Sequence, residues 1–465
     1  MDFEDMKWIQ EIIRKANVKI DMELLDTATF GDAIRPRLAA GTDLPDVIQL
    51  PSKDEDMTYI KSGIFLELTD LYEKYAINLN WRFEDNPTVK PQITTPDGKI
   101  YYVPVINMSR DYIPNLLINE PWLKELGLSA PTTTEEFYEV MKAFKERDPN
   151  VNEEADELPF YVNGTGYLKK FAAFWGLDLA YTYVVGEDGK LENSYVTDRY
   201  KDFLEYMYRM HEEGLLNNDF ATNTNDMLNE RMANNQIGCT IHYINFAHTF
   251  ALLLKPDIDV ENDPLIMVPM LPLQGPYGHR LYYGNDPVAS FFAINKNVEH
   301  PEAVFCFMDY LFSEEANNLM YYGIEGEDYE IIDGKIKPDL EKRSKDNYAT
   351  RMGSNFGGFP RILLAAHRDV SYMPDIAVWN KQIREYNKLP DNISTFWLPD
   401  EVEIMQQYGT DLGTYLNEMF VKFITGEVDL AAFDDYVATA KSMGLEELLR
   451  IYQARYDRVK ELGDE

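Results

Sequence analysis

The chain has 465 residues, enough for two or three domains with ample core. With 80 acidic and 44 basic residues it carries a net charge of −36, which repels nucleic acid and anionic membrane surfaces. No stretch of 18 or more apolar residues occurs, so nothing in the sequence reads as a membrane-spanning helix.

The elements alternate between the two regular periods. A helix is expected over 3–16, with Trp8, Ile9, Ile12 and Ile13 on one face. VKIDMEL (Val18–Leu24) alternates apolar and polar residues as a half-buried strand does, a helix follows over 28–40, and Asp46–Leu50 reads as a short buried strand that includes Gln49. Helix, strand, helix, strand suits crossover units and a mainly parallel sheet. Helical periodicity returns over 133–147, 198–213, 301–312, 402–425, 428–440 and 444–462. Two polar, Pro/Gly-rich segments read as hinges: PVINMSR (Pro104–Arg110), which contains Asn107, and PLQGPYGHR (Pro272–Arg280) continuing into GNDP (Gly284–Pro287). Two crossings imply a lobe interrupted in sequence, with a ligand crevice between the lobes.

Enzyme motifs are missing: there is no G-x-S-x-G, H-E-x-x-H, Walker loop or dinucleotide fingerprint. His242 and His248 are the only neighbouring histidines, and a spacing of six does not place both on one helix face. Cys239 and Cys306 lie in apolar segments and read as buried free thiols. The glycines of GSNFGGF (Gly353–Phe359) lack a following Lys-Ser/Thr and read as a flexible loop rather than a phosphate cradle.

Aromatic content is 13%, with 31 Tyr, and several aromatics stand in polar surroundings. Trp175 precedes Gly176, Trp379 precedes Asn380, and Trp397 lies in STFWLP. Sugars pack C–H faces on such rings while their hydroxyls need amides and carboxylates nearby, a mixture that Tyr243, Asn245, Asn285 and Asp286 supply. Trp8 and Trp122, on amphipathic helices, read as core.

An acidic run, DPNVNEEADELP (Asp148–Pro159), places oxygen-bearing side chains at alternate positions from Asp148 to Asp156. Hard cations such as calcium take six to eight oxygens at about 2.3–2.6 Å, and a tight loop turns alternate side chains inward. The run starts like a helix-loop calcium signature and then departs, with Glu153 where the turn wants Gly and Pro159 where the distal Glu should stand. A solvated acidic turn is the other reading of the same residues.

The acidic run also resembles the D-P-N-G-N-G-x-x-D-E-I-P loop found in some extracellular solute-binding proteins of carbohydrate ABC importers (family 1), the large lipoprotein group related to alginate-binding periplasmic proteins. Five further segments agree in order: AGTDLPDVI (Ala40–Ile48), DGKIYYVP (Asp97–Pro104), WLKELGLSAPTTTEEF (Trp122–Phe137), YGIEGEDYE (Tyr322–Glu330) and TGE (Thr425–Glu427). The resemblance implies a two-lobed α/β fold of the periplasmic-binding-protein type II, with 1–106 plus 285–325 as lobe one and 107–284 plus 326–465 as lobe two. It implies a monomer that captures an oligosaccharide by lobe closure and delivers it to ABC permease subunits, making and breaking no bond. Carried over from the family, Asp148, Asn150, Asn152, Asp156 and Glu157 are side-chain ligands of a structural Ca2+, and Glu154 offers its backbone carbonyl.

Members of that family begin with a signal, a lipidated cysteine and a first strand. Met1 is instead followed by Asp-Phe-Glu-Asp and a helix, which taken literally reads as cytoplasmic. The resemblance places the protein outside the cell as a surface lipoprotein or in a periplasm, with this chain starting downstream of its natural N-terminus. A secreted polysaccharide-degrading enzyme needs the same aromatic platforms and acids, and a peptide- or nucleotide-binding protein would share the shape. Net charge favours neutral glycans over polyuronates at long range, a preference that Arg110, Arg351 or Arg361 could reverse locally.

Overall fold

A computed structural model describes residues 6–26, 29–51, 56–108, 113–186, 188–259, 262–339, 358–390 and 396–463. Fourteen strands are distributed along it. They are β1 (Val47–Gln49), β2 (Tyr102–Asn107), β3 (Pro114–Asn119), β4 (Leu158–Tyr161), β5 (Tyr183–Val185), β6 (Leu191–Asn193) and β7 (Ile237–Tyr243). After these come β8 (Met267–Pro269), β9 (Tyr282–Tyr283), β10 (Val288–Ile294), β11 (Tyr329–Ile332), β12 (Lys335–Pro338), β13 (Arg361–Leu363) and β14 (Asn387–Lys388). Two four-stranded sheets organise the molecule, in the orders β1-β10-β2-β13 and β4-β7-β3-β8.

Each sheet centres one lobe. In lobe one, Tyr102 stacks on Phe291 with ring centroids 5.1 Å apart and on Phe396 at 5.9 Å. In lobe two, Phe171 is the hub, meeting Phe137, Phe160 and Phe174 at 5.3, 5.5 and 4.9 Å. Edge-on and tilted pairs of this kind add to the burial of the rings themselves. Trp8 and Trp122, at 2% and 1% exposed, are core residues as expected.

Local sequence chemistry sets the helix ends. In the helix Thr134–Glu146 the Thr133 hydroxyl accepts the Glu136 N–H at 3.1 Å, and the Glu136 carboxylate accepts the N–H of Thr132 at 2.7 Å and of Thr133 at 3.3 Å. That reciprocal cap is the physical content of the T-T-T-E-E motif.

Three expectations are corrected. The two four-stranded sheets are mixed rather than mainly parallel, since only β13 with β2 and β4 with β7 pair in parallel while β10 and β3 run against both of their neighbours. Val18–Leu24 forms no strand: its side chains do alternate, with Ile20 and Met22 packing on a small core made with the helix Lys7–Ala16, but among the described residues no strand pairs with it. The lobe boundaries also differ, because β13 pairs in parallel with β2, Arg361 opposite Val105, and so belongs to the lobe-one sheet. Phe359, Leu363 and the hairpin residues Tyr329 and Ile336 pack with Trp8 and Ile9, again on the lobe-one side. A further crossing follows at adjacent residues, for Phe396 lies in the lobe-one core and Trp397 in the lobe-two core. The terminal helix Leu445–Gly463 buries Leu448 and Ile451 in lobe two and touches the helix Val89–Ile93 of lobe one.

Candidate functional site

Strand direction decides which sheet edges face the crossings. β1 and β2 both pair antiparallel with β10, and β13 runs parallel to β2. Gln49, Asn107 and Leu363 therefore end their strands at one edge, where β10 begins with Val288. In lobe two β7 and β4 are parallel, and β3 runs antiparallel to both of its neighbours, β7 and β8, with Pro114 opposite Tyr243. Tyr161, Tyr243 and Pro269 thus end their strands where β3 starts. The chain leaves β2 at Asn107 and enters β3 at Pro114, so the carboxyl edges of both sheets flank the crossings. Ligands of open α/β sheets bind outside such edges.

The crossings are tied to one another by backbone bonds. Asn107 N–H donates to Pro287 O at 2.7 Å, Met108 N–H to Leu363 O at 2.8 Å and Gly284 N–H to Lys388 O at 2.8 Å. Asp286, 7% exposed, holds the second crossing: its Oδ1 accepts the Val288 N–H at 3.0 Å and its own N–H donates to the Tyr181 hydroxyl at 2.8 Å.

The expected ligand residues divide into two groups. Gln49 and Asn107 on lobe one, Tyr243 and Asn245 on lobe two, and Asn285 in the crossing are exposed or half-buried at the crevice edges. The Gln49 amide reaches Ser290 Oγ at 3.4 Å. Trp175 and Trp397 are core residues instead. Trp175, 2% exposed, is wedged between Tyr206 and Phe203 with centroids 5.1 and 5.3 Å away. Its Trp-Gly context reports a helix end, because Gly176 has φ 72° and a Cβ there would lie 2.4 Å from His279 Nε2. Trp397, 4% exposed, has the Arg455 guanidinium 3.9 Å above its ring and Tyr452 against its edge. Trp379 is half-buried beside Ile376, Asn380 and Ile383 on the helix Pro374–Arg384. Arg361 donates to Phe359 O at 3.5 Å, whereas Arg110, Arg351 and the loop Gly353–Gly357 lie outside the described residues. Cys239 is buried as expected, whereas Cys306 is exposed.

Two aromatic features escaped the sequence reading. Tyr167, half-buried on the helix Thr165–Phe171, stacks on His242 at 5.4 Å and meets Tyr243 edge-on at 6.4 Å. Burial drives the His242 imidazole down to about 4. Tyr283 borders the second crossing with its hydroxyl donating to Gly176 O at 3.4 Å. An aromatic beside two lysines in GYLKKF (Gly166–Phe171) was the available signal for Tyr167.

The acidic run forms a closed turn between the helix Thr134–Glu146 and β4. Asp148 accepts the N–H groups of Asn152 and Glu153 at 3.1 and 3.0 Å. Asp156 accepts the amides of Asn150 and Asn152 at 3.0 Å each and of Gln236 at 2.8 Å. Burial opposes ionisation of Asp156, but these donors outweigh it and hold the carboxyl below its usual range. Glu157 is pushed up by burial and by the neighbouring Asp156 and Asp148. Val151 and Glu153, in the two glycine positions, adopt φ of 57° and 64°, so the backbone takes the left-handed form without glycine. Asn150 Oδ1 and Glu157 Oε1 are buried with no hydrogen-bond partner. Among the described residues no cluster of three or more His, Cys, Asp or Glu side chains is arranged to hold a metal ion.

Residues 2–318 match the model of the bacterial extracellular solute-binding proteins. The chain belongs to that family. This solute-binding protein is 27% identical to the fructooligosaccharide ABC transporter substrate-binding protein FusA of Streptococcus pneumoniae, across 97% of its own length and 86% of FusA. It is 26% identical to the lipoprotein LipO of Bacillus subtilis, across 95% of its length and 87% of LipO. Among solved structures it superposes on the alginate-binding protein AlgQ2, determined without calcium ion, with a TM-score of 0.76 at 23% identity, over 98% of this chain and 95% of that one. FusA in complex with kestose gives 0.77 at 23% identity over 98% and 96%. A FusA variant described as an EF-hand mutant shares the fold, with a TM-score of 0.76. The two-lobed solute-binding fold expected from the sequence is therefore present, and no described helix is long and apolar enough to cross a membrane.

Proposed function

We propose that this solute-binding protein captures an oligosaccharide between its lobes and presents it to an ABC permease. The observation that carries this is the facing of two carboxyl sheet edges across hydrogen-bonded crossings, with amides and tyrosines on both. Gln49, Asn107, Asn245 and Asn285 offer donors and acceptors to hydroxyls, and Tyr243 and Trp379 offer ring faces to C–H groups. Closing the lobes removes the sugar from water, and the ligand shifts an open–closed equilibrium by its preference for the closed form. No step in this cycle changes a covalent bond. The names of FusA and LipO support a carbohydrate ligand and a lipid-anchored site of action outside the cell. A thermal-shift screen over oligosaccharides tests the reading: ligand at about 100 times its Kd adds about 2.7 kcal/mol. A screen in which sugars are consumed, or none raises the melting temperature, overturns it.

The acidic turn is proposed as a structural calcium site. Its donors are all hard oxygens, its backbone already has the needed left-handed residues, and two buried oxygens await a partner. Asp148, Asn150, Asn152, Asp156 and Glu157 would hold the ion with side chains and Glu154 with its carbonyl. Bound calcium would neutralise the carboxylates that now crowd Glu157.

A further inference from the structure

The crossing at Phe396–Trp397 takes the chain from one core to the other within a single peptide bond. In lobe one the Phe396 ring stacks on Tyr102 at 5.9 Å and on Phe291 at 6.3 Å. In lobe two Trp397 lies under the Arg455 guanidinium and meets Tyr452 edge-on at 5.0 Å. With the two side chains fixed in different cores, any rotation of one lobe against the other must turn the backbone at this point. That backbone is held by an ion pair drawn from two helices. Arg458, on the terminal helix Leu445–Gly463, sets Nη1 and Nη2 on the two carboxylate oxygens of Glu401 at 2.7 Å each, and Nη2 also donates to Phe396 O at 3.3 Å. Glu401, 3% exposed in the first turn of the helix Pro399–Ile404, accepts the Leu398 N–H at 2.8 Å. Such a fork on a carboxylate fixes geometry as well as charge. The terminal helix is itself seated against lobe two: Gln453 Oε1 accepts the Leu191 N–H at 2.7 Å, and Tyr452 stacks on Tyr183 at 4.1 Å.

We infer that the Arg458–Glu401 pair clamps the pivot between the lobes, so that Arg458 is a positioning residue for solute capture. Phe396 O belongs to the peptide that joins Phe396 to Trp397, and the Leu398 N–H to the peptide that joins Trp397 to Leu398. Peptide groups are planar, so holding the planes on both sides of the Trp397 Cα fixes the two dihedrals of that residue. Turning at this crossing is then left to Phe396, as in hinges where a few residues absorb the change of dihedral. A pivot held in this way restricts how far, and about which axis, the empty lobes open. An ensemble with fewer open states loses less freedom on closing, so the clamp favours capture without touching the solute. The inference rests on the lobe closure proposed above and not on the chemistry of the ligand.

Pulsed electron paramagnetic resonance on the ligand-free protein tests this through the distribution of distances between the lobes. One spin label goes on Cys306, exposed on the lobe-one helix Pro301–Tyr310, and one on Glu205→Cys, at an exposed position of the lobe-two helix Asp198–Glu212; Cys239 is buried. Arg458→Met is expected to make the distribution roughly twice as wide as in the wild type, since the freed pivot admits further open states. Arg458→Lys, which keeps the charge but not the fork, should restore it only in part. Arg209→Met, which removes a guanidinium 3.9 Å above Tyr138 within lobe two, should leave the width unchanged. Circular dichroism and urea unfolding of each variant separate a freed hinge from a damaged fold. If Arg458→Met does not fold, Glu401→Gln decides, because its amide oxygen still accepts the Leu398 N–H while the charge that seats Arg458 is gone. A wild-type width in folded Arg458→Met or Glu401→Gln, or equal broadening in Arg209→Met, overturns the inference. Because no sugar is present, that failure leaves the oligosaccharide reading standing, and the screen described above tests that reading separately.

Discussion

At the scale of single residues, the aromatic side chains show how one residue type serves two masters. Trp175→Ala removes a ring packed against Phe171, Phe203 and Tyr206, and is expected to cost about 3–5 kcal/mol of stability. Urea unfolding measures that cost, and the variant that remains folded should bind sugar as the wild type does; a large loss of affinity with normal stability would show the ring reaching the ligand after all. Trp379→Ala, by contrast, is expected to weaken sugar binding by about 1–3 kcal/mol, the range of comparable aromatic stacking, with little change in the urea midpoint. His242 makes a prediction of a different kind. Held down to about 4 by burial, it binds fewer protons folded than unfolded between that value and its ordinary value of about 6.5. The stability it allows is therefore complete above about 6.5 and is lost as the pH falls toward 4, by an amount on the order of 3 kcal/mol. A urea midpoint measured at pH 7 and pH 5 should fall, and His242→Phe should flatten the difference; an unchanged slope in that variant would assign the loss to other groups.

Among elements, the acidic turn carries the sharpest test. Val151 is 65% exposed and β-branched at φ 57°, a conformation that costs a non-glycine residue about 1–2 kcal/mol. Val151→Gly should raise the melting temperature of chelator-treated protein by relieving that strain, less the entropy glycine adds to the unfolded chain. Added calcium should raise the melting temperature of the wild type further, with sugar affinity unchanged; calorimetry showing no heat with calcium would leave only a capped acidic turn. The turn, the helix Asp198–Glu212 and the capped helix after Thr133 were legible in the sequence because each is determined within a few residues by period and cap. The segment Val18–Leu24 showed the right alternation and still formed no strand, since a strand also needs a partner that local pattern cannot name. β13 and β9 were invisible for the complementary reason: three and two residues long, they exist only because β2 and β14 lie beside them. The crevice-edge amides were found by their polar setting, while Tyr167 was missed because an aromatic on a short helix reads as core until its half-exposed position beside His242 and Tyr243 is known.

For the whole molecule, closure about the crossings is the property that binding should reveal. Small-angle scattering is expected to give a smaller radius of gyration with saturating sugar than without; equal radii with binding confirmed separately would remove the hinge mechanism. The interleaving of the lobes has a further consequence, for the order in which the molecule is built. All four strands of the lobe-two sheet lie between Pro114 and Pro269, so that sheet is complete once this one stretch of chain is present. The lobe-one sheet cannot form until β10 and then β13 arrive, because β10 sits between β1 and β2 and is the only neighbour of β1 among the described residues. Until then the apolar residues of β1 and β2 wait without a ladder, and closing so long a loop makes their pairing slow. Pulse-labelled hydrogen exchange during refolding should therefore find the amides of β3 and β7 protected before those of β1 and β2. A chain stopped after Pro269 would hold one assembled sheet and the unpaired half of another.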